Sequence, residues 1–140
     1  MNTADVRGLT MSQPWASCMA YGTRRVHSHV RLTGHRGPVL IHAGSATDHS
    51  AWNLPMTRPF LLRPLPMSAV LAVARLDDCH ADDGYCSLWS LRGYSHWCLT
   101  NVVALDKPVP WPGGSSALWI PPAPLLANPR VAEALEAARA

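Results

Sequence analysis

The chain has 140 residues, of which 48% are hydrophobic and 15% are charged. That length and apolar content suit one packed domain, residues 1–140, and exclude an intrinsically disordered chain. The net charge of +3 rests almost wholly on arginine, because Lys107 is the only lysine, so an anionic partner is permitted but not required. The start lacks an apolar signal core and no apolar run approaches membrane-spanning length, so we expect a cytoplasmic protein without a membrane partner.

The first predicted elements are a short strand over residues 9–11 and a helix over residues 14–21. Ser12 is a capping residue and Pro14 a first-turn residue, both of which favour a helix N-terminus. Gly22 is a typical residue for the end of a helix.

The segment after Gly22 shows period-two alternation, which predicts a strand with one buried and one exposed face. The residues expected on the buried face are Val26, Ser28, Val30 and Leu32, and those on the exposed face are Arg25, His27, His29 and Arg31. Arg24 adds a cation at the start of this strand. A row of guanidinium and imidazole groups predicts a site for an anion, and a solvated basic strand is the alternative.

The middle of the chain predicts a hairpin followed by a loop rich in proline. Residues 33–37 form a turn and residues 38–43 an apolar strand, so a hairpin with the basic strand is expected. Ser45 or Thr47 is expected to cap a short helix that ends at Trp52. Four prolines between residues 53 and 68 exclude a regular helix or a central strand there.

The second half predicts three strands and a terminal helix. Residues 69–76 indicate a buried strand, and further strands are expected over 96–105 and 118–120. Asn128 and Pro129 begin a helix with an apolar face made of Val131, Ala134, Leu135 and Ala138. We therefore predict an α+β fold, a small β-barrel of five to six strands with peripheral helices, with residues 121–140 as a C-terminal helical extension.

Four cysteines are scattered without the paired short spacing of a zinc site, so no metal and no cofactor is expected. One alternative is a metal loop built from Cys79, His80, Asp82, Asp83 and Cys86. A polar turn around residues 83–84 explains the same residues.

Several separated motifs together resemble the ASCH (activating signal cointegrator homology) domain. They are Leu-Thr-Met-Ser-Gln-Pro-Trp-Ala over residues 9–16, Gly22 with a cation at 24, Arg-Gly-Pro-Val-Leu-Ile-His-Ala over 36–43, Leu-Thr-Asn over 99–101, Pro-Val-Pro over 108–110, Gly-Gly at 113–114 and Leu-Trp at 118–119. The resemblance extends to about Pro121. It implies a PUA-like β-barrel that binds RNA or another nucleic acid in a cleft, and some small members of the family are hydrolases of modified nucleosides.

The family hallmark, Gly-x-Lys-x-x-Glu-x-Arg, corresponds here to Gly22, Arg24, His27 and His29. The glycine is kept, whereas the lysine is replaced by arginine and the last two positions by histidine. The lysine takes part in catalysis in the hydrolases of the family. Arginine does not lose its proton at usable pH, but it binds phosphate through a planar fork.

We therefore predict a domain that binds nucleic acid, RNA above all, or a nucleotide in a basic cleft between the first helix and the following strand. The predicted binding residues are Gln13, Trp15, Arg24, Arg25, His27, His29, Arg31 and Arg36. Further candidates for base stacking are Trp52, Trp89 and Trp97.

A hydrolase in the same cleft is the alternative. His27 and His29 would be acid and base around a phosphate, because residues two apart on a strand are about 7 Å apart at the backbone. Such a pair is compatible with a metal-independent ribonuclease, and the resemblance implies an amidohydrolase of modified nucleosides as the other form of this alternative. A protein-interaction module built on the proline-rich stretch around Phe60 and on the terminal helix is a third hypothesis.

Overall fold

The computed structural model describes residues 5–62, 64–82, 87, 89–91, 93–113 and 118–139. The fold is α+β, with six strands in one mixed sheet that forms a half-barrel and with helices outside it. The strands are β1 (Arg7–Gln13), β2 (Val26–His29), β3 (Gly37–Thr47), β4 (Ala69–His80), β5 (Ser95–Pro110) and β6 (Leu118–Trp119). The helices are α1 (Trp15–Tyr21), a 3₁₀ helix (His49–Asn53), α2 (Arg58–Leu61), α3 (Ala123–Leu126) and α4 (Pro129–Arg139). The predicted small barrel with peripheral helices is confirmed.

The sheet order is β2-β5-β4-β3-β1-β6, in which only β1 and β3 pair in parallel. Both faces of the central strands are covered, because α1 packs on one face and α3 and α4 pack on the other. Alternate residues of β3 separate accordingly: Val39 and Ile41 face α1, whereas Leu40 faces the terminal helices. This two-sided burial explains why β4 begins as an almost continuous apolar run.

Several sequence predictions are confirmed. The buried strand at residues 69–76 exists and continues to His80, and the final helix begins at Pro129 with Asn128 Oδ1 accepting a hydrogen bond from the Arg130 amide. The four residues predicted for its apolar face are all buried. Strands also form at both other predicted positions: β5 includes residues 96–105, and β6 covers residues 118–119 of the predicted 118–120.

The predicted hairpin between the basic strand and residues 38–43 is wrong. Both edges of β3 are taken, one by β1 and the other by β4, so β2 pairs instead with β5 at the edge of the sheet. The predicted alternation of buried and exposed residues is also wrong, since His27, Ser28 and His29 are all half-buried and the strand ends at His29. Val30 and Leu32 are 73% and 59% exposed as a result.

Two helix caps differ from the prediction. Ser12 does not cap α1. Instead, Gln13 Oε1 accepts a hydrogen bond from the Ser17 amide in the first turn of the helix. The 3₁₀ helix is capped by Asp48, whose carboxylate accepts from the Ser50 amide, and not by Ser45 or Thr47. The proline-rich stretch holds one helical turn, α2.

Candidate functional site

A cavity of about 220 Å³ lies between α1 and β2. Its walls come from β1, α1, the turn before β2, β2 itself, the segment before the 3₁₀ helix and the segment before β5. The lining residues are Met11, Ser12, Trp15, Arg24, His27, Ser28, Asp48, Trp89, Leu91 and Tyr94. The cavity thus combines three aromatic rings with one arginine, one histidine and one carboxylate.

Arg24 is the cation of this cavity, and it is only 5% exposed. Its Nη1 donates to Met11 Sδ at 3.2 Å, and its Nη2 donates to His27 Nδ1 at 3.3 Å. The guanidinium carbon lies 5.4 Å from the centre of the Trp15 ring, and Nε has no hydrogen-bond partner. These contacts are all with neutral groups.

No carboxylate in the described part of the chain pairs with Arg24. The nearby Cys18 thiol supplies no counter-charge either, because burial raises its pKa to about 11. Burial lowers the pKa of Arg24 to about 10, so the guanidinium remains protonated at neutral pH. A buried cation without an anionic partner is costly unless a ligand supplies the opposite charge or an oxygen acceptor.

The chain reaches Arg24 through a tight turn at the end of α1. Gly22 has no room for a side chain, since a Cβ would lie 2.5 Å from Phe60 Cζ and 2.8 Å from the Cys18 carbonyl oxygen. The Arg24 amide donates to that same carbonyl at 3.3 Å. Glycine at this position therefore allows the close approach that turns the chain and directs Arg24 inwards.

Arg25, which was predicted to bind the ligand, is engaged at the helix end. Its Nη1 donates to the carbonyl oxygens of Met19, Gly22 and Arg24 at 3.2, 3.0 and 2.8 Å. A cation at this position satisfies the carbonyl groups that a helix leaves unpaired at its C-terminus. Arg25 is not among the residues that line the cavity.

Asp48 is the carboxylate of the cavity wall. Its Oδ1 accepts from the hydroxyl and amide of Ser50, and its Oδ2 accepts from Trp15 Nε1 at 2.9 Å. The hydrogen bonds from the Ser50 side chain and from Trp15 lower the pKa of Asp48, so it is ionised at neutral pH. The hydrogen bond from Trp15 Nε1 to Asp48 also fixes the orientation of the Trp15 ring.

His27 lines the cavity as a neutral imidazole. Its Nδ1 accepts the hydrogen bond from Arg24, which places the ring proton on Nε2. Burial, followed by the charge of Arg24 and then that of His29, lowers the pKa of His27 well below its usual range.

His29 does not join His27 in the cavity. Its ring packs on Trp97, with centroids 4.7 Å apart, and its Nδ1 accepts from the Arg31 amide. The two imidazole rings are 6.0 Å apart, but only His27 is a lining residue. The pair therefore does not flank a common space of the kind that the acid and base hypothesis assumes.

The remaining predicted binding residues lie elsewhere. Gln13 is fully buried, with Nε2 donating to Ser17 Oγ and to the Pro66 carbonyl, so its amide joins α1 to the proline-rich stretch. Arg31 and Arg36 are exposed outside the cavity, and Arg36 Nη1 donates to the carbonyls of Thr33 and His35. Trp52, another predicted stacking residue, is also exposed and lies outside the cavity.

Sequence reasoning missed Asp48, Leu91 and Tyr94. Asp48 is 33 residues from its partner Trp15, and nothing in the local pattern connects them. Trp89 and Tyr94 belong to an aromatic segment that follows β4, and that clustering was the one available signal.

A larger cavity of about 380 Å³ lies beside α1 and α2. It is lined by Ser17, Tyr21, Pro59, Phe60, Pro64, Leu65 and Pro66. None of these residues carries a charge. The smaller cavity is the better candidate because polar groups with shifted pKa values, Arg24, His27 and Asp48, converge on it.

Two residues of the alternative metal loop, Cys79 and Asp82, accept hydrogen bonds from backbone amides. Cys79 Sγ accepts from the Thr33 amide at 3.4 Å, and Asp82 accepts from the Gly93 amide. Asp83 and Cys86 lie outside the described residues.

The comparisons with known proteins identify no relative: no family model matches the chain, and no curated protein matches it. Among the described helices, none is both long enough and apolar enough to cross a bilayer.

Proposed function

We propose that this chain is an ASCH-like domain that binds single-stranded nucleic acid, RNA above all, by taking one nucleotide unit into the cavity between α1 and β2. The observation that carries the proposal is Arg24, a buried guanidinium with no anionic partner among the described residues. Phosphate oxygens are among the acceptors that such a group binds most strongly, and base carbonyl oxygens are neutral acceptors that it also binds.

The aromatic residues of the cavity suit a base. Trp15, Trp89 and Tyr94 present ring faces or edges at the wall, and stacking on aromatic side chains is the usual way in which proteins hold unpaired bases. A volume of about 220 Å³ is smaller than the roughly 300–1,000 Å³ of sites for drug-sized molecules. The size therefore favours a single nucleotide unit over a longer segment.

Arg24 and Asp48 give the cavity opposite hydrogen-bonding walls. The guanidinium donates, whereas the carboxylate accepts and suits the amino or imino groups of a base. A ligand that fits both has oxygen acceptors on one side and N–H donors on the other, as nucleobases do. A bare phosphate would use only Arg24 and would be repelled by Asp48.

Binding of short, fluorescently labelled single-stranded RNA, measured by anisotropy, tests the proposal. We expect Arg24→Met to weaken binding about 10- to 100-fold, because charge-assisted hydrogen bonds contribute roughly 1.5–3 kcal/mol. The matched control is Arg130→Met, which removes an exposed arginine of α4 and leaves affinity within about twofold. Absence of binding at low salt, or equal affinity of Arg24→Met and wild type, would refute the proposal.

Hydrolysis at the same cavity is the second candidate, favoured by one observation: the His27 ring lines the cavity with its proton on Nε2. In this tautomer the ring donates a hydrogen bond to a substrate, and it becomes a general base only when Arg24 releases Nδ1. Arg24 stays protonated and does not serve as the base. RNA and acylated nucleosides are the substrates to assay. Product formation that is lost in His27→Ala supports catalysis, and product formation that persists in this variant removes His27 from the mechanism.

A further inference from the structure

The end of β4 and the start of β5 bring together three side chains of different chemistry: Asp78, His80 and Cys98. One potential ligand atom from each lies within 4.8 Å of the other two. The pairing of the strands explains the cluster, since Asp78 is opposite Cys98 and His80 is opposite His96. Residues 78 and 80 lie on the same face of β4 because side chains alternate along a strand.

An irregularity in the β4–β5 ladder sets this register. Leu76 is opposite Leu99, but Asp78 is opposite Cys98, so β4 carries one extra residue between these two pairs. Such bulges re-aim side chains and are common beside functional sites. Without the extra residue, Asp78 would be opposite Trp97.

The ring of His80 is held in the orientation and tautomer of a metal ligand. Its Nδ1–H donates to the Ala81 carbonyl oxygen at 2.9 Å, which leaves the lone pair on Nε2. Histidine ligands of metals commonly donate their second ring N–H to a backbone carbonyl in this way. Nε2 of His80 lies 3.7 Å from Cys98 Sγ.

That separation matches zinc coordination. Bonds of about 2.0–2.1 Å to nitrogen and about 2.3 Å to sulfur, at a tetrahedral angle, place the two ligand atoms about 3.6 Å apart. A thiolate and a carboxylate together carry the charge that neutralises a divalent ion. Asp78 is exposed and His80 and Cys98 are half-buried, so an ion reaches the cluster from solvent.

We propose that Asp78, His80 and Cys98 form a binding site for a divalent transition metal of the zinc class. With three protein ligands, the fourth position of a tetrahedral ion is left to water or another ligand. Binding replaces the thiol proton of Cys98 with the metal and releases that proton to solvent. The metal connects the end of β4 to the start of β5, and the segment between these strands carries Trp89, Leu91 and Tyr94 to the cavity.

This site is separate from the candidate nucleotide cavity. Cys98 and His96 alternate along β5 with Trp97, which packs on His27 and His29. None of the three proposed ligands lines the cavity. Metal binding and RNA binding are therefore measured at different residues, so the failure of one proposal is distinguishable from the failure of the other.

Titration of the full chain with Co²⁺ tests the proposal. We expect one ion per chain, the visible bands of tetrahedral cobalt and the near-ultraviolet band of a thiolate bound to cobalt, all displaced by Zn²⁺. Cys98→Ser removes the thiolate band, whereas the control Cys79→Ser, on the neighbouring residue of the opposite strand face, retains it. Zn²⁺ in large excess over its Kd raises the Tm of the wild type by about 5 °C or more and leaves that of His80→Ala unchanged.

Two results would overturn the proposal: no stoichiometric Co²⁺ binding, or an unchanged thiolate band in Cys98→Ser. If the band is retained in Cys98→Ser and lost in Cys86→Ser, the metal belongs to the loop after β4. Asp78→Asn, at an exposed position, provides a variant that keeps the fold, and it is expected to bind Co²⁺ about tenfold more weakly.

Discussion

Replacement of Arg24 by methionine is expected to stabilise the protein while it weakens nucleotide binding. The fall of the pKa from 12.5 to about 10 in the folded state corresponds to about 3 kcal/mol of unfavourable free energy for the charged side chain at neutral pH. Methionine has a similar length and carries no charge, so this cost disappears.

The contacts that Arg24 loses offset part of the gain. The cation–π contact with Trp15 at 5.4 Å contributes about 1 kcal/mol. The hydrogen bond to Met11 Sδ has a weak acceptor, and the bond to His27 Nδ1 is long at 3.3 Å. Together they contribute about 1 kcal/mol. The net expectation is a gain of about 1 kcal/mol in the free energy of unfolding, or about 3 °C in Tm for a chain of this size.

Urea denaturation followed by tryptophan fluorescence, together with thermal unfolding, measures this difference. Arg130→Met is the control, because an exposed arginine on α4 changes stability by less than about 0.5 kcal/mol. A loss of more than about 1 kcal/mol in Arg24→Met would show that the guanidinium is a structural group already satisfied in the folded protein. The reasoning that it is held for a ligand would then fail.

Three further predictions follow from local geometry. Gly22→Ala places a methyl group against Phe60 and a backbone carbonyl, so we expect the free energy of unfolding in urea to fall by roughly 1–3 kcal/mol. The control is Gly34→Ala, which has nothing within 4 Å of the added methyl group and should keep the stability of the wild type. Equal stability of the two variants would contradict the close packing at Gly22. His27 has a lowered folded pKa, so the unfolded chain takes up its proton first as pH falls below about 6.5, and stability drops by roughly 1–2 kcal/mol between about pH 7 and pH 5. Urea midpoints across that range should show a shallower slope for His27→Gln, and an unchanged slope would mean that His27 titrates normally in the folded protein. Asp48→Asn keeps the shape of the cavity but weakens its acceptor, so RNA affinity should fall about fivefold in the anisotropy assay, and a rise in affinity would indicate that the ligand presents phosphate to this wall.

Local patterns determined much of the secondary structure. The terminal helix was predictable because its cap, its first-position proline and its apolar spacing all lie within a few residues of one another. The buried strand at residues 69–76 was predictable because an apolar run of that length, interrupted only by Arg75, is typical of a buried strand. The sequence also predicts a cleft between the first helix and the strand after Gly22, and a cavity lies at that place.

The partners of the strands and the contents of the cavity were decided by tertiary structure alone. Nothing in residues 26–29 encodes pairing with β5, because a short edge strand is equally compatible with several neighbours until β1 and β4 occupy both edges of β3. The sequence around Arg24 is equally compatible with an exposed arginine. The side chain is buried because the turn at Gly22 directs it inwards and the Trp15 ring packs on it. Alternation along a strand predicts which side chains share a face, but burial depends on what the rest of the chain places over that face.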